Sequence, residues 1–383
     1  VQPPPRLRWQ TKGKEIPYWY SMRVEHLHTL PTPWELEDDF KRVLAWQALG
    51  VDDVLDVSVP WSVHPEVHWQ DAQFLANADE RYPLVVREYM TPAGILRHAV
   101  RKTDEDQGAG WVIQPDYVPL FEDFNIPRAA EHAVSSPEDV PKIAHLFGPP
   151  DETATRWFAE RMQQVSDFAE AHSVPVQAWS AFGMDAVVWL TGTESAILLA
   201  MDAPQAFAHL LEIITQTDLA RTELAAATPG VDMIVERGWY SSTDFWSPKL
   251  FEQFMLPAIG KIADVAHKHG KKFGYVMTTG VERLGPRLVD AGVDVLYFVD
   301  PVQDRLSPEK AKDLLGQRMT LVGGINTLSL GVGDRSQLGE AIKRAIDVVG
   351  PTNRFILHPV DAIFPDTPWD GIEAMIELWQ RYR

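Results

Sequence analysis

Polar and aromatic residues stand where several short apolar runs of this sequence end. Glu236 and Arg237 close one such run, and His358 follows another. Carboxyl and imidazole groups transfer protons, guanidinium groups bind anions, and aromatic rings stack on planar ligands. The other residues of this kind are Trp179, Trp239, Tyr240, Tyr275, Met277, Thr279, Asp300, Asn326 and Asp361. The sequence therefore predicts a binding site wherever the ends of these runs meet.

Each candidate also has an ordinary structural interpretation. Glu236 and Arg237 form either a buried ion pair or, separately, a proton-transfer group and an anion clamp. His358 and Asp361 either orient each other or, with Glu236, share a divalent metal such as zinc. Asp300 is followed by Pro301 and Thr279 precedes a predicted helix, so both are also candidate helix caps. For the set as a whole, a site is the stronger interpretation.

The stretch from 271 to 301 shows which elements would position these residues. A short apolar run at 273–277 contains Tyr275 and Met277 and ends at Thr278-Thr279-Gly280. Apolar residues at helical spacing follow, and Gly292 comes where a left-handed C-cap belongs. A second apolar run at 293–299 then ends at Asp300. Runs this apolar are typical of strands buried on both faces, so the stretch predicts one βαβ unit of a parallel sheet.

The same alternation of strand and helix continues along most of the chain. Strands are predicted at 51–57, 174–179, 232–236, 273–277, 293–299, 319–322 and 354–357, and helices at 33–49, 152–172, 204–227, from Ser247, at 336–349 and at 369–382. Alternating elements of this kind favour an α/β fold, specifically a (β/α)₈ TIM barrel with reactive groups at the carboxyl ends of its strands. A doubly wound sheet is the alternative, but no glycine-rich phosphate turn follows an early strand.

One domain is predicted for residues 1–383, with two additions to the barrel. Residues 1–50 form an N-terminal extension, and residues 60–134 form an insertion expected to act as a lid. A hairpin is predicted in the insertion about the turn at 91–94. Arg23, in the aromatic part of the extension, is either a ligand for a substrate carboxylate or a surface arginine over a ring.

Composition limits the partners and the chemistry. The 383 residues carry 35 Lys and Arg against 54 Asp and Glu, a formal charge of -19, which disfavours nucleic acid and anionic membranes as partners. The absence of cysteine excludes disulfides, zinc–thiolate sites and cysteine nucleophiles. No run reaches membrane-spanning length and VQPPPRLRWQ is unlike a signal peptide, so we expect a cytoplasmic location.

Several segments resemble the uroporphyrinogen decarboxylase superfamily. They are DFWSPKLFEQFMLPAIGKIADVAHKHGKKFGY, AGVDVLYFVDP, LVGGINTLSL and FILHPVDAIFPDTPWDGIEAMIE, and more loosely the N-terminal IPYWYSMR. The resemblance covers residues 155–383 well and implies a (β/α)₈ barrel, a cleft at the strand carboxyl ends and a homodimer. It also implies one of two activities, decarboxylation of a tetrapyrrole or methyl transfer between a corrinoid and a small molecule.

The sequence departs from both family patterns. The position of the decarboxylase aspartate reads Val59, and the basic residues of the tetrapyrrole pocket reduce to Arg23. Where the thiol-activating methyltransferases hold zinc through His-x-Cys and a distant Cys, this chain has Met277-Thr278-Thr279 and Asp361. A metal site of hard ligands, from Asp361 with His358 or Glu236, remains open.

These points lead to one leading hypothesis and two alternatives. The leading one is a methyltransferase that demethylates a small methoxylated substrate and passes the methyl group to a corrinoid protein. Glu236 or His358, with Asp361 and Tyr240 nearby, would assist departure of the oxygen, and Arg23 or Arg237 would hold an anionic group. The first alternative is a carboxy-lyase acting on an acidic substrate. The second is a barrel that binds a ligand without catalysis.

Overall fold

The computed structural model describes residues 36–103, 117–331, 334–360 and 367–383. Eleven strands lie in these ranges: β1 (Leu55–Ser58), β2 (His68–Phe74), β3 (Leu84–Thr91), β4 (Gly94–Arg101), β5 (Ala129–Glu131), β6 (Val176–Ala181), β7 (Met233–Glu236), β8 (Lys272–Val276), β9 (Val295–Val299), β10 (Thr320–Asn326) and β11 (Phe355–Val360). Seven of them form a parallel sheet in the order β1-β6-β7-β8-β9-β10-β11, and β2 to β5 form a separate antiparallel sheet.

Helices alternate with the parallel strands. Those in the described ranges are α1 (Leu36–Ala48), α2 (Val140–Ile143), α3 (Glu152–His172), α4 (Gly183–Thr191), α5 (Thr193–Asp202), α6 (Pro204–Ala227), α7 (Pro248–Leu250), α8 (Leu256–Lys268), α9 (Val281–Asp290), α10 (Pro308–Leu315), α11 (Leu328–Gly331), α12 (Arg335–Val349) and α13 (Trp369–Tyr382). A π-helical turn, Phe251–Met255, joins α7 to α8. The sequence-based α/β prediction is confirmed.

The parallel sheet curls into part of a barrel but does not close. In the described residues β1 pairs with β6 and β11 with β10, and no strand joins the two edges. The prediction of a closed eight-stranded ring was therefore wrong. Where a second βα unit would follow β1, the alternating polar sequence of 68–101 instead forms antiparallel strands, so β1 pairs directly with β6. The predicted hairpin is confirmed, with Thr91 paired to Gly94.

The two faces of the curled sheet bury different sets of side chains. Val54 and residues from the strands, including Met233, Val235 and Tyr297, form a cluster on the concave face, which we call the interior cluster. Alternate residues such as Ile234 and Leu296 join the larger core that the strands share with the surrounding helices. Successive side chains of a strand point to opposite faces, so this alternation determines which strand-end residues face the interior.

No single helix in the described ranges is both long and apolar enough to cross a bilayer. Only α4 and α5 taken together meet the length and composition criteria, and they meet at a bend of 101°.

Candidate active site at the carboxyl ends of the strands

Four rings follow one another across the interior of the curled sheet, and we call them the aromatic wall: Trp179, Trp239, Phe298 and His358. Trp179 and Trp239 stack with centroids 5.8 Å apart, Trp239 and Phe298 are 6.2 Å apart, and Phe298 stacks on His358 at 5.2 Å. Trp179, Trp239 and Phe298 belong to or pack on the interior cluster, and His358 is fully buried beside it. The first and last of these contacts are stacks, whereas the planes of Trp239 and Phe298 are tilted by 52°, and aromatic rings favour both arrangements at such spacings.

A polar network lies beneath this wall and fixes the first indole. The Asp56 carboxylate accepts hydrogen bonds from Trp179 Nε1 at 2.8 Å and from the Gln177 side-chain amide. Gln177 in turn accepts a hydrogen bond from the Tyr297 hydroxyl at 2.8 Å, across from β6 to β9. Asp56 was not predicted as a site residue from the sequence. The pattern that could have identified it is the alternation of Asp56 and Ser58 with the buried Leu55 and Val57 in β1.

The ends of β9 and β10 are joined by Asp300 and Asn326. Asn326 Nδ2 donates to Asp300 at 2.7 Å, and Asp300 also accepts from the backbone N–H groups of Val302 and Gln303. Asp300 therefore shapes the loop after β9, as expected of a cap, while it lies fully buried at the strand end. At the end of β8, Thr279 is buried, and its hydroxyl has no hydrogen-bond partner among the described residues.

Glu236 ends β7, but its carboxyl group lies toward the helices. Met233 and Val235 belong to the interior cluster, and Glu236 is out of phase with them. Gly183, the first residue of α4, lies directly against it, so that a Cβ there would come within 2.6 Å of Glu236 Oε1. Burial, and then the charges of Asp218 and Asp185, raise the pKa of Glu236 well above its ordinary value. Both effects favour the neutral acid over the carboxylate.

Tyr275 and Met277 share that helix-facing side. Both belong to the core formed with the helices, and the Tyr275 hydroxyl lies 2.6 Å from the Ser241 hydroxyl. Burial and the nearby Glu236 raise the pKa of Tyr275. The strand-end residues predicted from the sequence are thus divided: the aromatic wall faces the interior, while Glu236, Tyr275 and Met277 lie behind it.

Arg237 lies just after the carboxyl end of β7, at what we call the rim of the site, and contacts two indoles and two carboxylates. Its guanidinium is 4.7 Å from the Trp189 ring centroid and 4.4 Å from that of Trp239. Its Nε donates to Asp185 at 3.2 Å and its Nη2 to Asp123 at 2.9 Å. Burial alone would lower the pKa of Arg237, but the two carboxylates outweigh it and raise the pKa. An ion pair between Glu236 and Arg237 was one of the two interpretations open from the sequence, and it is not formed, because Arg237 pairs with Asp123 and Asp185 instead.

Tyr240 belongs to the same network. Its hydroxyl donates to Asp123 at 3.1 Å, and its backbone N–H donates to Asp185 at 3.0 Å. Burial and the carboxylates of Asp123 and Asp185 raise the pKa of Tyr240. Burial also raises the pKa of Asp185, to about 7, against the opposing charge of Arg237.

A second buried arginine, Arg221 of α6, links residues around the site and was not predicted from the sequence. Arg221 pairs with Asp218 at 3.1 Å, lies 3.9 Å from the Phe182 ring centroid, and donates to the Val59 carbonyl at 2.8 and 3.1 Å. The Asp218 carboxylate accepts hydrogen bonds from the backbone N–H groups of Phe182 and Gly183, each at 2.9 Å. Burial raises the pKa of Asp218 to about 6 and lowers that of Arg221 to about 10. The pair therefore holds the turn that covers Glu236.

Two predicted site residues, Arg23 and Asp361, lie outside the described residues. The metal prediction depends on one of them. Within the ranges that the structure describes, no group of three His, Asp or Glu side chains is arranged to hold a metal ion. Glu236 and His358 in particular are on opposite faces of the sheet, so the described donors do not fit a shared centre.

The curled parallel sheet, its outer helices and the polar residues at its strand ends define a TIM-barrel-like α/β protein. The uroporphyrinogen decarboxylase (URO-D) family model matches residues 120–382, more than half of the chain. The chain therefore belongs to the uroporphyrinogen decarboxylase family. No curated protein matches the sequence.

Solved structures provide the remaining comparisons. A methyltransferase from Methanosarcina mazei is 16% identical, covers 99% of this chain and 98% of its own, and has a TM-score of 0.56. A 3-keto-D-glucoside 4-epimerase from E. coli is 10% identical over 66% of this chain and 96% of its own, with a TM-score of 0.36. A putative fructose-1,6-biphosphate aldolase from Coccidioides immitis is 13% identical over 57% and 83%, with a TM-score of 0.28. The first supports the fold.

Proposed function

We propose that this protein is a methyltransferase that demethylates a small, planar methoxylated compound and passes the methyl group to a corrinoid held by a partner protein. The observation that carries the proposal is the aromatic wall, which gives the interior a continuous row of rings ending at His358. Stacked rings bind a planar substrate through its face and leave its substituents at the edge of the stack. The fold shared with a methyltransferase over 99% of the chain supports the same choice.

In this reaction the bond between the methyl carbon and the substrate oxygen breaks, and the oxygen leaves with the bonding electrons. A corrinoid on the partner protein would supply the nucleophilic cobalt to which the methyl group passes. The departing oxygen needs a proton, and a side chain that provides it lowers the barrier to departure. Of the two general acids considered from the sequence, His358 faces the interior and Glu236 lies behind Gly183. We therefore assign proton donation to His358.

The alternative, decarboxylation of a polycarboxylate, fits the described residues less well. Two buried cations, Arg221 of α6 and Arg237 after β7, are each already paired with aspartates. Asp56 and Asp300 add carboxylates to the same region. A substrate with many negative charges would meet net repulsion there, since like charges at short range are unfavourable in a low dielectric. These observations favour a ring that is neutral or carries a single charge.

The test is methyl transfer by the purified protein. We expect methylcobalamin to form from cob(I)alamin and at least one compound in a panel of methoxyarenes, and we expect His358→Gln to lower the rate about 100-fold or more, the usual contribution of a general acid. His209→Gln, a change at an exposed histidine of α6, is the matched control. Inactivity across the whole panel, or equal rates for the two variants, would refute the proposal.

A further inference from the structure

Three hydrogen-bond donors at the rim converge on one carboxylate. Trp189 Nε1 donates to Asp123 Oδ1 at 2.7 Å, Tyr240 donates to the same oxygen at 3.1 Å, and Arg237 Nη2 donates to Oδ2 at 2.9 Å. An indole, a phenol and a guanidinium thus satisfy both oxygens of Asp123. Donors of this kind around a planar anion are what a carboxylate-binding site requires.

The donors are held in place by contacts that do not involve Asp123. Asp185 binds both Arg237 Nε and the backbone N–H of Tyr240. Trp189 is fully buried in α4, and its ring and that of Trp239 both lie against the guanidinium. The geometry of the receptor is therefore preorganised, which reduces the entropy cost of binding a ligand.

Asp123 itself is the accessible member of the group. Its side chain is 28% exposed, whereas that of Arg237 is 3% exposed and that of Asp185 is fully buried. Asp123 begins a short 3-10 helix, Asp123–Arg128, in the segment before β5. Because its carboxylate borders solvent, rotation of this one side chain would hydrate it without moving the donors.

We propose that Trp189, Tyr240 and Arg237 form a receptor for a substrate carboxylate, and that Asp123 occupies this receptor until the substrate displaces it. The ligand class is an aromatic carboxylic acid, because Trp239 contacts both the receptor and the stacked ring of Trp179. A ring on the aromatic wall could place its single carboxylate at the guanidinium. Only the description of this ligand as a substrate rests on the proposed function; the binding itself does not.

Exchange of one carboxylate for another leaves the charge beside Arg237 unchanged. The wild-type protein therefore holds an internal competitor of the same charge and shape as the ligand group. Asp123→Asn removes that charge and keeps the shape, so that an incoming carboxylate meets a guanidinium paired only with Asp185. Charge-assisted hydrogen bonds are about twice as strong as neutral ones, so the ligand should then win the competition.

The experiment measures binding without corrinoid or turnover. Benzoate, with benzamide as its neutral analogue, is titrated into the full-length protein and followed by calorimetry and by tryptophan fluorescence. We expect Asp123→Asn to tighten benzoate binding about tenfold or more relative to wild type, while benzamide binding changes little. Asp264→Asn, at an exposed aspartate of α8, is the matched control and should behave as wild type.

A second variant tests the receptor itself. Tyr240→Phe keeps the ring and removes one donor, so in the Asp123→Asn background it should weaken benzoate binding about threefold to tenfold. If Asp123→Asn binds benzoate no more tightly than wild type, or gains as much affinity for benzamide, the proposal is overturned and Asp123 is a structural contact. Methyl transfer without any benzoate effect would overturn the receptor and leave the proposed function intact.

Discussion

Replacement of Glu236 by glutamine should stabilise this protein more at pH 7 than at pH 5. The carboxyl group is 3% exposed, and its Oε2 has no hydrogen-bond partner among the described residues. Burial, followed by the charges of Asp218 and Asp185, raises its pKa well above the ordinary value of 4.5. Glutamine has nearly the same shape and no proton to lose, so it removes the titration and retains the packing.

The magnitude follows from proton linkage. Above pH 4.5 the unfolded chain releases the proton of Glu236, while the folded protein keeps it, so the folded state binds one more proton. The contribution of Glu236 to the free energy of unfolding is therefore fully present below the unfolded pKa. While the folded protein keeps the proton, this contribution falls by about 1.4 kcal/mol for each pH unit above that pKa. Between pH 5 and pH 7 the wild type should therefore lose stability that the variant does not lose, up to a limit of about 2.5 kcal/mol that is reached when the folded protein keeps the proton over the whole range.

Neighbouring acids do not obscure this difference. Burial also raises the pKa of Asp185 to about 7 and that of Asp218 to about 6, and both contribute a slope of the same sign. A neutral Glu236 and a neutral glutamine exert the same charge on them, so their slopes cancel when the two proteins are compared. Any cost of an unpartnered amide is present at both pH values and cancels as well.

The assay is urea unfolding of both proteins at pH 5, 6 and 7, followed by far-ultraviolet circular dichroism. Glu160→Gln, at an exposed glutamate of α3, is the control and should follow the wild type at every pH. If Glu236→Gln and the wild type show the same dependence on pH, the carboxyl group is ionised in the folded protein. The placement of a neutral acid behind Gly183 would then be wrong.

Two further substitutions test the packing around the site. Gly183 has a φ of 49°, and a Cβ there would lie 2.6 Å from Glu236 Oε1. Gly183→Ala should therefore lower the free energy of unfolding by about 2 kcal/mol or more, which urea denaturation would measure. The control is Gly260→Ala in α8, where the nearest atom to an added Cβ would be 3.9 Å away, and it should raise the free energy of unfolding by up to about 1 kcal/mol. Equal effects of the two substitutions would contradict the close contact between Gly183 and Glu236. His98 is fully buried, and burial, followed by the charges of neighbouring histidine and arginine side chains, lowers its pKa from 6.5 to about 3. Between pH 6.5 and pH 5 the unfolded state therefore binds one more proton than the folded state. Over this range the free energy of unfolding of the wild type should fall by about 2 kcal/mol more than that of His98→Leu. Parallel plots of unfolding free energy against pH for the two proteins would contradict the burial of His98.

Sequence analysis located the elements whose signals are local. The helices α3, α6 and α13 begin and end where periodicity and capping residues predict, and Ser247 caps the helix in which Pro248 is the first residue. The helix α4 was missed because all nine of its residues are buried and it has no polar face to give a period. Closure of the barrel was predicted wrongly, because pairing between the first and last strands depends on distant parts of the chain.

The site was less predictable than the fold for a related reason. A strand that is apolar on both faces does not reveal which of its alternate residues faces the interior. Glu236 in β7 and Trp179 in β6 therefore looked equivalent in the sequence, although Glu236 lies behind the sheet and Trp179 stacks within it. Asp123 and Asp185 come from segments with no strand end to mark them, and only their contacts with Arg237 reveal their part in the site.

The stacked pair of Trp179 and Trp239 gives this protein an optical signature of its own. Their rings are 5.8 Å apart with an angle of 22° between their planes. Two indoles this close and fixed in orientation couple their electronic transitions, which produces a signed pair of circular dichroism bands that isolated tryptophans lack. Loss of that couplet on heating would report the separation of β6 from the turn that follows β7, independently of the melting of the outer helices.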